Sequence, residues 1–282
     1  MNELPASVTI GTGEGDLPVV DINSAQARAR LYLYGAHLTE WTPAGQEPVL
    51  WLSPDSVFED GNPIRGGIPL CLPWFSKGPG GDKEPMHGVA RITTWELDSV
   101  SESADGAVTL HLGLRLEDWS ASLTVTVGEE LSLELTTTNH GEANLQVEEA
   151  LHTYFTVADV KNVRVTGLDG VAYLDKVAGE DATQSGDVVF TDRTDRVYES
   201  GAPVEIRDPG FSRRIEITNE ASANTVVWNP WEETTRGMAD IPDNAWPGFV
   251  CVETANVGGN ATLLAPGSHT TIGTTYRVTP LE

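Results

Sequence analysis

Apolar and polar residues alternate with a period of two through much of this chain, a pattern that a half-buried strand satisfies and a helix does not. In GAVTLHLGLRL, Val108, Leu110, Leu112, Leu114 and Leu116 fall on one face, and Thr109, His111 and Arg115 fall on the other. ASLTVTVGEELSLELTTTNHG continues with Leu123, Val125 and Val127, a turn near Gly128 to Glu130, then Leu131, Leu133 and Leu135. Consecutive runs of this kind predict antiparallel strands that each bury one face. QARARLYLYGAHLTEW supplies two more around a turn or bulge at Gly35, and YESGAPVEIRD with FSRRIEITNE supplies another pair around Asp208 to Gly210. Helical periodicity is nowhere sustained over three turns, and neither a βαβ rhythm nor a dividing linker interrupts the pattern. The expectation is one all-β domain over residues 1–282, a large sandwich or barrel.

Charge narrows the partners. With 17 Lys and Arg against 42 Asp and Glu, the net charge is −25, a field that repels polyanions and argues against nucleic acid. A small anionic ligand remains compatible with such a chain if arginines build a local positive pocket. Cys71 and Cys251 lie far apart beside apolar neighbours, which predicts two buried thiols in a reducing compartment and no disulfide framework. The opening residues MNELPASVTIGTGEGD lack an apolar signal core, and no 18-residue apolar run occurs. A cytoplasmic monomer without a membrane partner is expected.

Residues 55–90 break the strand pattern with prolines at 63, 69, 73, 79 and 85 among many glycines. An irregular segment this long is costly to order, so it serves either a functional site or a rigid lid. It carries Arg65 in NPIRGGIP, with Lys77, His87 and then Arg91 beyond, and guanidinium groups suit either phosphate binding or local ion pairs. In NLQVEEALHTYFTV, read as one strand, His152 shares a face with Gln146, Glu148, Ala150 and Tyr154, opposite the most apolar face. It is either a proton-transfer group in a cleft or a structural histidine. In FVCVET, Glu253 follows Phe249 and Cys251 on one face, an unusual setting for a solvated carboxylate although a strand-end ion pair would also explain it. Trp228, Trp231 and Trp246 could line a sugar site or cap the core. No metal-ligand spacing, phosphate loop, dinucleotide fingerprint or GxSxG elbow is present.

Taken in order, NPIRGGIPLCLPWF, MHGVAR, LHTYF, DRVY, VVWNPW and VCVETANV make a chain that resembles the hexose-6-phosphate mutarotases, or glucose-6-phosphate 1-epimerases, of the wider aldose 1-epimerase group. The resemblance runs from residue 25 to residue 275. It implies a galactose mutarotase-like antiparallel β-supersandwich whose concave sheet holds the site. It also implies exchange of the α and β anomers of an aldohexose 6-phosphate without metal or organic cofactor. On the matching motifs His152 is the general acid and Glu253 the general base. Arg65 and Arg91 hold the phosphate or nearby oxygens, His87 lines the sugar site, Asp195 binds hydroxyls, and Asn229 and Asp240 join the binding set. Asp195 is preferred to Asp192 for its DRVY context, and Met86 stands where the family often has glutamine. Two other readings fit the same residues: an epimerase of unphosphorylated aldoses, and a carbohydrate-binding protein without catalysis.

Overall fold

The computed structural model describes residues 4–281. Its largest element is a nine-stranded antiparallel sheet, ordered Val188–Val189, Arg164–Thr166, Val204–Asp208, Arg213–Glu220, His269–Pro280, Glu130–Asn139, Trp119–Val127, Val108–Arg115 and Glu96–Glu102. The alternation sets its orientation: Val108, Leu110, Leu112, Leu123, Val125, Leu131 and Leu135 are all fully shielded, while the intervening threonines and acids meet water. Truncating one such leucine to alanine would cost roughly 2–5 kcal/mol.

Facing this sheet is a second one, ordered Glu180–Thr183, Ala172–Asp175, Thr194–Tyr198, Asn224–Asn229, Phe249–Asn256, Glu149–Leu151 and Leu70–Cys71, with Tyr154–Thr156 also paired to Phe249–Asn256. The two sheets meet where the Phe155 ring packs edge-on to Tyr276 with centroids 5.1 Å apart and the Thr153 hydroxyl shares a 2.6 Å hydrogen bond with the Tyr276 hydroxyl. A four-stranded sheet, Val8–Thr12, Pro18–Asn23, Ala27–Tyr32 and His37–Pro43, adds to the same core through Leu31, Leu38 and Trp41. Every named strand pair is antiparallel, and the one α-helix among the described residues, Trp231–Thr235, spans a single turn. The architecture is the antiparallel supersandwich that the family resemblance implies, and of the sandwich or barrel that the alternation left open it is the sandwich. Acidic residues mark the outer strands Glu96–Glu102 and Glu180–Thr183, where charge discourages edge-to-edge pairing.

Two local departures from the sequence expectation matter for the site. NLQVEEALHTYFTV is three short strands instead of one: Leu145–Val147 pairs with Thr262–Leu264, whereas Glu149–Leu151 and Tyr154–Thr156 both pair with Phe249–Asn256. The strand Phe249–Asn256 shows no polar face because it is buried along its entire length. Val250 and Val252 enter the core between the large sheets, and Phe249 and Cys251 pack on the other side with Tyr154 and Ile241. Within residues 55–90, Gly67 and Gly88 adopt positive φ of 60° and 77°. A Cβ at either would sit 2.2 Å from the Leu38 carbonyl oxygen or 2.0 Å from that of Leu72. The glycines of NPIRGGIP and MHGVAR therefore let these turns press directly on neighbouring backbone, which fixes Arg65 and His87 beside them.

Candidate active site

The central strand and its neighbour bring the two most unusual ionisable groups together. Leu151 lies opposite Thr254 and Tyr154 opposite Cys251, so the unpaired link between them leaves His152 facing Glu253. The ladder opens at this point, because the His152 N–H donates to the Pro69 carbonyl and the Thr153 N–H turns back to the Leu151 carbonyl. His152 Nδ1 and Glu253 Oε1 are 3.4 Å apart, with Glu253 1% exposed and His152 8% exposed. Neither His152 Nδ1 nor Glu253 Oε2 has a hydrogen-bond partner among the described residues. A buried carboxyl and imidazole without satisfied partners are costly, and functional sites are where such arrangements concentrate.

These groups open into a cavity of about 280 Å³ whose lining includes Arg65, His87, Arg91, Asp195, Tyr154 and Trp228. The Tyr154 ring stacks on His152 at 5.0 Å and 9°, and Trp228 stands edge-on to both. Arg65 donates from Nη1 to the Tyr154 hydroxyl at 3.0 Å and from Nε to Asp240 at 2.8 Å. Arg91 donates to the Met86 carbonyl at 2.6 Å, next to His87, whose ring meets His152 edge-on at 5.5 Å. His87 itself holds a positive φ of 64° and accepts the Ser76 N–H at Nδ1, so its neutral ring carries the proton on Nε2. The Met86 side chain is exposed, and it is the backbone of this residue that serves Arg91, so methionine in place of glutamine keeps that bond.

Burial dominates the proton affinities. It pushes the Glu253 carboxyl well above the ordinary range, with the nearby Asp195 charge adding to the shift and Lys176 opposing it. It pushes His152 well below the ordinary range, and the positive charges of Arg65 and Arg91 push further in the same direction. His87 is lowered by burial, then by His152 and Arg91. Asp195 is raised by burial against the pull of Lys176. Arg65 keeps its proton firmly because Tyr154 and Asp240 outweigh the cost of burial.

Of the eight residues singled out from sequence, six line one cavity: Arg65, His87, Arg91, His152, Asp195 and Glu253. Asp240 lies behind Arg65 as its ion-pair partner and does not line the cavity. Asn229 is 0% exposed and away from the lining. Its amide donates to the Trp246 and Phe249 carbonyls and its oxygen accepts the Trp231 N–H, so it braces the entry to the central strand. Trp231 and Trp246 pack on each other outside the cavity, and Lys77 pairs with Glu84 on the surface. Sequence reasoning missed Lys176, Arg193 and Tyr154. Tyr154 shares a strand face with His152, which was a usable signal; Lys176 sits in a tight turn, its Nζ 3.7 Å from Asp195 and 5.2 Å from the Phe75 ring, and nothing local marks it.

Comparison with known proteins identifies the family. The sequence profile of the aldose 1-epimerase family matches residues 18–277. The chain belongs to the aldose 1-epimerase family. Within it, a protein of Escherichia coli K12 named "Putative glucose-6-phosphate 1-epimerase" is 40% identical over 252 residues, covering 85% of this chain and 83% of that protein. A protein of the same name from Cenchrus ciliaris is 35% identical over 279 residues, covering 92% and 84%. The crystal structure of a "putative mutarotase" from Salmonella typhimurium superposes with a TM-score of 0.91 at 32% identity, covering 99% of this chain and 96% of that one. A galactose mutarotase-like protein from Clostridium acetobutylicum, at 12% identity and a TM-score of 0.73, shares the fold. In this family member the cavity sits on the face of the eight-stranded sheet turned away from the nine-stranded one. Among the described residues no three His, Cys, Asp or Glu side chains are grouped to hold a metal ion, and no helix is long and apolar enough to cross a membrane.

Proposed function

We propose that this chain interconverts the α and β anomers of an aldohexose 6-phosphate, with glucose 6-phosphate the first candidate. The observation that carries this reading is the contact between His152 and Glu253 in a cavity that also presents Arg65, Arg91, Lys176 and Arg193. Four cations in one cavity of a chain with net charge −25 favour an anionic sugar over a neutral one.

Anomer exchange requires a proton to leave the hydroxyl oxygen O1 and a proton to reach the ring oxygen O5. Both oxygens are bonded to C1, so an acid and a base that touch each other are correctly spaced to serve them. Glu253 as carboxylate takes the O1 proton, His152 as imidazolium delivers a proton to O5, the C1–O5 bond breaks, and C1=O1 forms. Rotation about C1–C2 presents the other carbonyl face, and reversal of the two transfers closes the opposite anomer. Arg65 and Arg91 hold the phosphoryl oxygens, Asp195 accepts from sugar hydroxyls, and Trp228 offers an aromatic wall. Asp240 acts through Arg65 by orienting its guanidinium, and Asn229 acts through the strand it braces. The reading is supported by the family, by the names of relatives, and by the convergence of six motif residues on one cavity.

The test is anomerisation of glucose 6-phosphate, glucose and galactose by the purified protein after chelation, followed by NMR saturation transfer. Turnover of the phosphorylated sugar well above that of both free sugars is expected. Equal turnover on all three would assign the cavity to free aldoses, and no turnover on any would leave sugar binding without catalysis.

A further inference from the structure

The acid–base pair and the anion site are linked by two chains of contacts. One runs from Arg65 through the Tyr154 hydroxyl to the Tyr154 ring stacked on His152, and the other from Arg91 through the backbone of Met86 to the adjacent His87 ring, edge-on to His152. Both guanidinium groups thus reach His152 through an aromatic ring, and their charges bear on it, whereas Glu253 is approached by the charges of Asp195 and Lys176. The groups that bear on His152 are Glu253 from the central strand, Tyr154 from its own segment, Arg65, His87 and Arg91 from the loops, and Lys176 from the turn. Asp240 pairs directly with Arg65 and reaches Arg91 only as a more remote charge, and among the described residues the Arg91 guanidinium donates to a neutral carbonyl and forms no ion pair.

Without an anion, this arrangement favours the neutral pair, with one proton on Glu253 and none to spare on His152. A protonated carboxyl cannot act as the base, so the empty site is poised in the wrong state. A dianion held by Arg65 and Arg91, whose chains of contact both end on the His152 ring, cancels the charges that oppose a proton there. We propose that the phosphoryl group is a switch for the catalytic pair: once it is held by Arg65 and Arg91, the proton moves from the Glu253 carboxyl to the His152 imidazole, giving carboxylate and imidazolium in contact. The transfer is internal and conserves the proton count, and it requires the two atoms, 3.4 Å apart and not hydrogen-bonded, to close to hydrogen-bonding distance. The inference rests on the reading of the cavity as a hexose 6-phosphate site. Its consequence is that discrimination against unphosphorylated sugar appears in kcat and not only in KM, because the anion changes the catalytic state as well as the binding energy.

The experiment separates the anion from the sugar. Turnover of free glucose is measured with and without saturating phosphite dianion, alongside glucose 6-phosphate. Phosphite should raise kcat for glucose on the order of tenfold or more, the effect of one unit of proton affinity at His152. Arg91→Gln should lower turnover of glucose 6-phosphate while raising kcat for glucose, since it removes an opposing charge without an anion. Phosphite that only competes with glucose 6-phosphate and leaves glucose turnover flat would overturn the switch, as would equal kcat for both sugars in the unmodified protein. Absence of glucose 6-phosphate turnover would overturn the proposed function itself, and the switch with it.

Discussion

Glu149 is fully buried three residues before His152 and faces Asn256, three residues beyond Glu253, across the same strand pair. Its Oε1 accepts from the Asn256 amide at 3.3 Å and its Oε2 has no hydrogen-bond partner among the described residues, so burial raises its pKa to about 7 from an ordinary value of 4.5. The native state therefore holds a proton that the unfolded chain has already released between these two values. Stability from this group is complete below pH 4.5 and is lost as pH rises through 7. Integrated between pH 5 and pH 8, the loss is about 2.5 kcal/mol, a large share of the roughly 5–15 kcal/mol that a domain possesses. Glu149→Gln keeps the shape and the Asn256 contact without the ionisation. Urea unfolding of both proteins at pH 5 and pH 8 gives a difference of differences in which every other titrating group cancels. The substitution should be more favourable at pH 8 than at pH 5 by about 2.5 kcal/mol. A pH-independent effect, within about 0.5 kcal/mol, would show that Glu149 is ionised at no such cost and would refute the reasoning from burial.

Other perturbations separate chemistry from structure. Glu253→Gln should reduce kcat by roughly 10²- to 10⁴-fold with the far-UV spectrum and Tm preserved, and near-normal anomer exchange by the folded variant would remove it from the mechanism. His152→Asn should behave alike, and unchanged turnover would end its proposed role as acid. Arg65→Ala should raise KM for glucose 6-phosphate by about ten- to a hundredfold, the worth of a charge-assisted hydrogen bond, and affect glucose far less; equal losses on both sugars would count against phosphate recognition. Asn229→Ala strips three hydrogen bonds from buried backbone groups. It should cost roughly 2–4 kcal/mol in denaturant unfolding, and a stable variant with impaired turnover would contradict the bracing role.

The nine-stranded sheet was legible because one of its faces meets solvent, so burial imprints period-two alternation on the chain. The central strand Phe249–Asn256 carries no such imprint, being buried on both sides, and only the anomalous carboxylate among Phe249, Cys251 and Val252 betrayed a site there. Parity placed His152 on the face away from the apolar side and Glu253 on one face with Phe249 and Cys251, but it could not place them against each other. That depends on the register of segments about a hundred residues apart, and on the ladder opening at His152 and Thr153, whose N–H groups bond to Pro69 and Leu151 instead of to the central strand. For Lys176 the difficulty is the same: its nearness to Asp195 arises from the pairing of Ala172–Asp175 with Thr194–Tyr198. Asn229 and Asp240 were matched by motif, yet a motif records which residues recur and not whether they reach the ligand or hold the residue that does. The register also changes the chemistry expected of the pair. An acid and a base on opposite walls would each exchange protons separately with sugar or solvent, whereas two groups 3.4 Å apart form one titrating unit that passes a proton internally. Such a pair is ready only in one of its two states, and which state prevails is decided by the charges around it.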